Sequence, residues 1–211
     1  MKILFFGDSI TDMCRNREPN IPAIWTYGNG YPFVVASELF RKNPLKHTII
    51  NRGISGNRVV DLYARIKADV WNEQPDVLSI LIGINDLWHE VDYGNGVDLV
   101  RWEKVYRMLI EDTLKRLPDV KIIICEPFVL YSPMIEKAYP TLKEVVGYSA
   151  VAKKLAAEYG LYFLPLQKKF DEAAEKFGVE PYLFDGVHPD IAGATLIADE
   201  WVKLFEREIE K

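Results

Sequence analysis

The sequence is short of histidine and cysteine. Three histidines and two cysteines in 211 residues leave no CxxC pair and no metal-ligand spacing, which excludes a disulfide scaffold and a structural zinc site. Cys14 and Cys125 read as free thiols in a reducing compartment. No apolar run approaches the roughly 20 residues of a membrane-spanning helix. The run in "MKILFFGDS" stops at Gly7-Asp8, too early for a signal-peptide core. The expectation is therefore a cytoplasmic protein that does not associate with membranes. Excess positive charge is also missing: at a net charge of -5 there is no basic field for a phosphate backbone, which argues against nucleic acid as a partner and for small or neutral ones. No Gly/Ser/Pro-rich linker, repeat or low-complexity segment divides the chain, so residues 1–211 read as one domain. What remains, 49% hydrophobic and 27% charged, is the composition of a soluble, compact protein.

Five apolar runs read as buried parallel strands: 2–7, 47–53, 76–83, 120–127 and 160–166. Between them apolar residues recur at helical spacing, as in Val59, Val60, Leu62, Tyr63, Ile66 and Val70, and in Trp102, Val105, Tyr106, Leu109 and Ile110. A last helix is expected from about Asp190 to Glu208, with Ile197, Trp201, Leu204 and Phe205 on one face. Alternation of strand and helix implies a parallel sheet covered on both faces, because parallel strands need crossovers. The expected fold class is α/β: a three-layer α/β/α sandwich on a five-stranded parallel sheet in the flavodoxin-like order.

Two aromatic stretches rich in Pro, Gly and Asn, 14–32 and 126–140, follow the first and fourth strands. In an open α/β sheet the ligand crevice lies beyond the carboxyl ends of the strands, so these loops are placed to wall it. Trp25, Tyr27 and Phe128, with Arg58 for hydroxyl groups, are the expected substrate-binding residues; the competing reading is that the rings cover sheet edges.

The polar residues that follow strands are few. Ser9 follows the first, Gly53 the second, Asn85 and Asp86 the third. If the first strand lies between the second and third, neighbours about 4.8 Å apart bring these positions within roughly 10 Å. Near the other end, "FDGVHPD" places Asp185 and His188 in one loop. Ser9, His188 and Asp185 supply what nucleophilic ester chemistry needs: a hydroxyl, an imidazole to take its proton, and a carboxylate to fix the imidazole's tautomer. Backbone N–H groups of Ser9 and Gly53 and the Asn85 amide could receive the oxyanion. Asp86 reads as a structural cap, and His47 and His89 as solvated or interface residues.

"GDS" at 7–9, a glycine in "NRGISGN", "GIND" at 83–86 and "DGVH" at 185–188 together resemble the four ordered blocks of the SGNH hydrolases, also called GDSL esterases, and the resemblance spans the chain. It implies Ser9 as nucleophile, Gly53 and Asn85 in the oxyanion hole, His188 as general base and Asp185 as its partner, with no metal or organic cofactor. The first block has Ile10 where the family name has leucine, an apolar exchange. Longer strings, "GISGNRVVDL" and "IGINDLW", are similar to bacterial acetylxylan esterases of that superfamily, which implies a small acyl ester substrate, an acetylated sugar or xylo-oligosaccharide deacetylated through an acyl-enzyme, and leaves homo-oligomerisation open. The residues after Ser9 are Ile10 and Thr11, so the GxSxG elbow of the α/β-hydrolases is absent. Alternatives within the superfamily are a lysophospholipase-type acylhydrolase or a thioesterase. More distant ones are a metallophosphoesterase, for which the chain has few histidines, and a non-catalytic carbohydrate-binding protein.

Overall fold

The computed structural model of the chain describes residues 1–210. Along the chain β1 (Lys2–Gly7) is followed by α1 (Ser9–Asp12), α2 (Ala23–Thr26), α3 (Tyr31–Lys42), β2 (Thr48–Gly53) and α4 (Val59–Ile66). Then come β3 (Val77–Leu81), α5 (Ile84–Tyr93), α6 (Leu99–Arg116), β4 (Lys121–Cys125), α7 (Pro133–Ala138), α8 (Val145–Glu158), β5 (Tyr162–Leu164), α9 (Gln167–Phe177) and α10 (Ile191–Glu208). The sheet is wholly parallel with the order β2-β1-β3-β4-β5. This is the expected fold class. The loop spanning 14–32 is not irregular throughout, because α2 interrupts it and α3 begins at Tyr31. Helix α4 runs into a wider turn over Lys67–Trp71 that keeps Val70 in the core.

Central β1 shows why its sequence is uninterrupted apolar: Ile3, Leu4, Phe5 and Phe6 are all buried, because both faces of the strand are covered. Phe5 meets Tyr31 of α3 edge-on at 5.4 Å and Trp201 of α10 at 5.1 Å. Phe6, on the other face, lies under the Arg65 guanidinium at 4.4 Å. Helices α3 and α10 pack together in one layer, and α4, α6 and α8 form the other. The Trp201 indole N–H donates to Ser79 Oγ on β3 at 3.0 Å, which gives each of these buried polar groups a partner.

In register, Gly7 at the end of β1 faces Gly53 of β2 on one side and Leu81 of β3 on the other. The three loops that leave these strands therefore begin side by side. No helix among the described residues is long and apolar enough to cross a membrane.

Candidate active site

Ser9 is the first residue of α1, and the helix begins there because Asp8 caps it, accepting the Ile10 N–H at 3.0 Å. Ser9 Oγ donates to His188 Nε2 at 2.8 Å, and His188 Nδ1 donates to Asp185 Oδ2 at 2.6 Å. Asp185 Oδ1 meanwhile accepts the backbone N–H groups of Val187 (2.9 Å) and His188 (2.7 Å), so the carboxylate is fixed in its own loop. That loop closes like a hairpin through Leu183 and Pro189, with Phe184 N–H donating to His188 O at 3.2 Å. The imidazole is flanked by Trp88 (5.9 Å) and by the nearly parallel ring of Phe184 (5.8 Å).

A proton held on Nδ1 by Asp185 leaves Nε2 as an acceptor, which is what Ser9 needs. Burial pushes the His188 pKa down, but the hydrogen bond and charge of Asp185, with Asp8 behind them, outweigh it and hold it above the ordinary value. For Asp185 burial acts upward and is outweighed by its hydrogen bonds from the His188 ring and the two backbone N–H groups, so its pKa is lowered.

The oxyanion donors differ from expectation at one position. Gly53 N–H already donates to Asn51 Oδ1 at 2.8 Å. A Cβ on Gly53 would lie 2.3 Å from the Asp12 nitrogen, so its glycine serves the close packing of β2 against α1. Gly56, three residues on, lines the cleft with Ser9, Asn85 and His188, takes a φ of +80°, and makes no hydrogen bond through its N–H among the described residues. Of the two glycines it is the one with an unused backbone donor beside Ser9, and "ISG" before Asn57 is its only sequence signal.

The Gly56 loop is held from three directions. Ser55 gives Asp12 Oδ2 two hydrogen bonds, from N–H and from Oγ, both 2.9 Å. Arg65 donates to Gly7 O (3.1 Å), Arg52 O (2.8 Å) and Asn57 Oδ1 (2.7 Å). Asn85 Nδ2 donates one proton to Asn57 O at 3.1 Å; an amide carries two, so the second is available to the cleft. Asn85 does not cap its own helix, which starts after Gly83. Asp86 does act as a cap, for α4: its carboxylate accepts the Val59 N–H at 3.0 Å.

Two predicted substrate-binding residues belong elsewhere. Phe128 is 0% exposed and packs on Phe170 at 4.4 Å. Tyr27 is buried against Phe40 at 6.2 Å, and its carbonyl accepts from Asn51. Both rings turn inward because the loops that carry them fold back over the helical layers. Trp25 is 59% exposed on α2 and does not line the cleft. Arg58 does not either; its guanidinium pairs with Asp61 at 2.9 Å and reaches Asn95 O. Of the other histidines, His47 is buried beside Phe205 and Glu210 rather than solvated, and His89 lines the Ser9 cleft. Among the described residues no three His, Cys, Asp or Glu side chains converge to hold a metal ion, so the dimetal alternative has no ligand set.

The cleft at Ser9 encloses about 300 Å³ and is lined by Ser9, Ser55, Gly56, Asn85, Trp88, His89, Asp92, Tyr93 and His188. A larger concavity of about 770 Å³ lies on the opposite side of α5, at Asp86, Leu87 and Glu90, and among the described residues no serine, threonine or cysteine lines it.

Asp8 is the electrostatic oddity beneath the site. Its Oδ2 has no hydrogen-bond partner, and burial, only partly offset by the Ile10 N–H and by His188, pushes its pKa from 3.8 up to about 7. A raised carboxyl pKa means that the folded state binds the proton more tightly, so stability falls as pH rises from 3.8 to about 7 and is level above. The shift corresponds to on the order of 4 kcal/mol. Asp8→Asn keeps an oxygen for the Ile10 N–H and removes the charge. Its Tm should match wild type at low pH and exceed it at pH about 8; thermal unfolding across that range checks this, and a wild-type pH dependence retained in the variant would contradict it.

Comparison with known proteins places these features in company. The model of the GDSL-like lipase/acylhydrolase family matches residues 5–196. An acetylxylan esterase of Geobacillus stearothermophilus is 35% identical, with 99% of this chain and 93% of that protein covered. The crystal structure of an acetylxylan esterase of the same organism superposes with a TM-score of 0.84 at 33% identity, covering 96% and 93% of the two chains. A GDSL-like lipase from Parabacteroides merdae superposes with a TM-score of 0.89 at 38% identity, covering 97% and 95%. Structures of catalytic mutants of the Geobacillus esterase replace a serine, an aspartate and a histidine by alanine, the aspartate lying three residues before the histidine.

Proposed function

Since the chain belongs to the GDSL-like lipase/acylhydrolase family, it is a serine carboxylic ester hydrolase that deacetylates sugars, and we propose that it does so through Ser9, His188 and Asp185 with Gly56, Asn85 and the Ser9 N–H as the oxyanion hole. One observation carries the proposal: Ser9 Oγ bonds His188 Nε2 at 2.8 Å in a cleft also lined by Gly56, whose N–H has no acceptor among the described residues, and by Asn85, whose amide has a proton to spare. The 185/188 spacing of acid and base repeats that of the residues mutated in the Geobacillus relative.

The geometry prescribes the steps. Ser9 Oγ attacks the ester carbonyl as His188 Nε2 takes its proton, and Asp185 stabilises the resulting imidazolium. The carbonyl oxygen, now anionic, is held by the Ser9 and Gly56 N–H groups and the Asn85 amide. His188 returns the proton to the leaving sugar oxygen, which leaves an acyl-enzyme on Ser9. Water, deprotonated by His188, then releases acetate. None of these steps calls for a metal or organic cofactor.

The acyl group is acetyl by analogy with the acetylxylan esterase relative, and the polar side chains of Ser55, Asn85, His89 and Asp92 around Ser9 offer a long acyl chain no continuous apolar wall. The sugar is an acetylated xylo-oligosaccharide, by analogy with the Geobacillus esterase described as acting on such oligosaccharides. The enzyme works as one domain in a reducing, cytoplasmic compartment, which suits its two free thiols, Cys14 and Cys125. The test is chain-length preference on 4-nitrophenyl acetate, butyrate and octanoate beside acetylated xylose and xylobiose. Acetate is expected to give the highest kcat/KM, and the acetylated sugars to release acetic acid; a preference for octanoate would point instead to a lysophospholipase-type acylhydrolase.

A further inference from the structure

The corrected positions of Tyr27 and Phe128 leave the alcohol half of the ester without a binding surface, and α5 supplies one. Asn85, Trp88, His89, Asp92 and Tyr93 are spaced i, i+3, i+4, i+7 and i+8, which puts them on one face of the helix. All five line the Ser9 cleft. At 1.5 Å per residue this strip runs about 12 Å outward from the oxyanion hole. It starts on the side where the alcohol must sit, because His188 has to protonate the leaving oxygen and Trp88 packs against His188 at 5.9 Å.

We propose that this face of α5 is the subsite for a sugar alcohol, with His89 and Asp92 binding ring hydroxyls and Tyr93 the apolar face of the sugar. The inference rests on the deacetylase reading above and names the residues that choose its leaving group. Neither ring nitrogen of His89 has a protein partner among the described residues, and the ring lies over the glycine of the cleft: Nε2 is 3.8 Å from where a Cβ on Gly56 would stand, with the Tyr93 ring perpendicular to it at 5.2 Å. Burial and the nearby Arg58 charge keep the His89 pKa below its ordinary value. The neutral imidazole offers one donor and one acceptor, the complement of a hydroxyl group. Asp92 adds an exposed acceptor, and the Tyr93 ring is 71% exposed with a free face. Aromatic face and paired polar groups suit a polyhydroxylated ring. A fatty alcohol would bury His89 and Asp92 without partners, at a cost.

The test compares kcat/KM on acetylated xylobiose with that on ethyl acetate, whose alcohol is too short to reach Tyr93. His89→Ala and Tyr93→Ala should each lower kcat/KM on the sugar ester about tenfold, mainly through KM, and should lower the ethyl acetate value at least threefold less. His89→Gln, which keeps a donor and an acceptor, should recover part of the loss. Equal losses on both esters, or no loss on either, overturn the subsite while leaving a sugar deacetylase standing. A wild-type enzyme that hydrolyses ethyl acetate but no acetylated sugar overturns the deacetylase reading and the subsite together.

Discussion

Replacing Ser9 by alanine should lower kcat for ester hydrolysis about a millionfold, the scale seen when the nucleophile of a triad is removed, while the protein stays folded. The hydroxyl makes one hydrogen bond, to His188, and α1 keeps its Asp8 cap without it. The stability change is therefore expected to be about 1 kcal/mol, the contribution of one part-buried hydrogen bond. A serine-directed organophosphonate should label Ser9 alone by mass spectrometry, and wild-type activity should be indifferent to chelator. An active Ser9→Ala enzyme, or a label on another serine, would remove Ser9 from the mechanism.

Asp185→Asn should cost about ten-thousandfold in kcat, the loss known for the equivalent change in a protease triad. The new amide can still accept the Val187 and His188 N–H groups through its oxygen, so the loop persists. Its NH2 then faces Nδ1, which must become the acceptor, and the ring proton moves to Nε2, where it opposes the Ser9 hydroxyl. The pH profile gives a second reading. Only neutral His188 accepts a proton, and its pKa is raised, so wild-type kcat/KM should fall with an acid limb above the ordinary histidine value of about 6.5. Without the Asp185 charge that limb should move to lower pH. Rates measured from pH 5 to 9 that show no acid limb would exclude His188 as the base.

Much of this architecture was legible in the residues themselves. β1, β3 and β4 are buried on both faces, which is why they read as apolar runs, with Ser79 of β3 the one polar residue inside them, and why the parallel sheet followed. Asp185 and His188 could be paired because Gly186 and Pro189 confine them to one loop. The oxyanion glycine was harder. "RGISG" contains two glycines, and only the folded chain reveals that the N–H of Gly53 is already bonded to Asn51. Nor could sequence tell which way a loop aromatic points: Phe128 and Tyr27 turn to the core, while Trp25 of the same composition-rich stretch faces solvent. His89 was missed for another reason. Its significance depends on α5 beginning at Ile84, which makes it the i+4 neighbour of Asn85, and an Asn-Asp pair after a strand reads first as a turn.

Ser9 and His188 are separated by 179 positions. The bond that activates the nucleophile therefore forms only when the start of α1 and the loop ahead of α10 have come together, a closure in which Trp201 of α10 packs against Phe5 of β1. Local structure around Ser9 and Asn85 does not by itself assemble the triad: any opening that parts the 185–188 loop from the sheet separates base from nucleophile while leaving Asn85 bonded to Asn57.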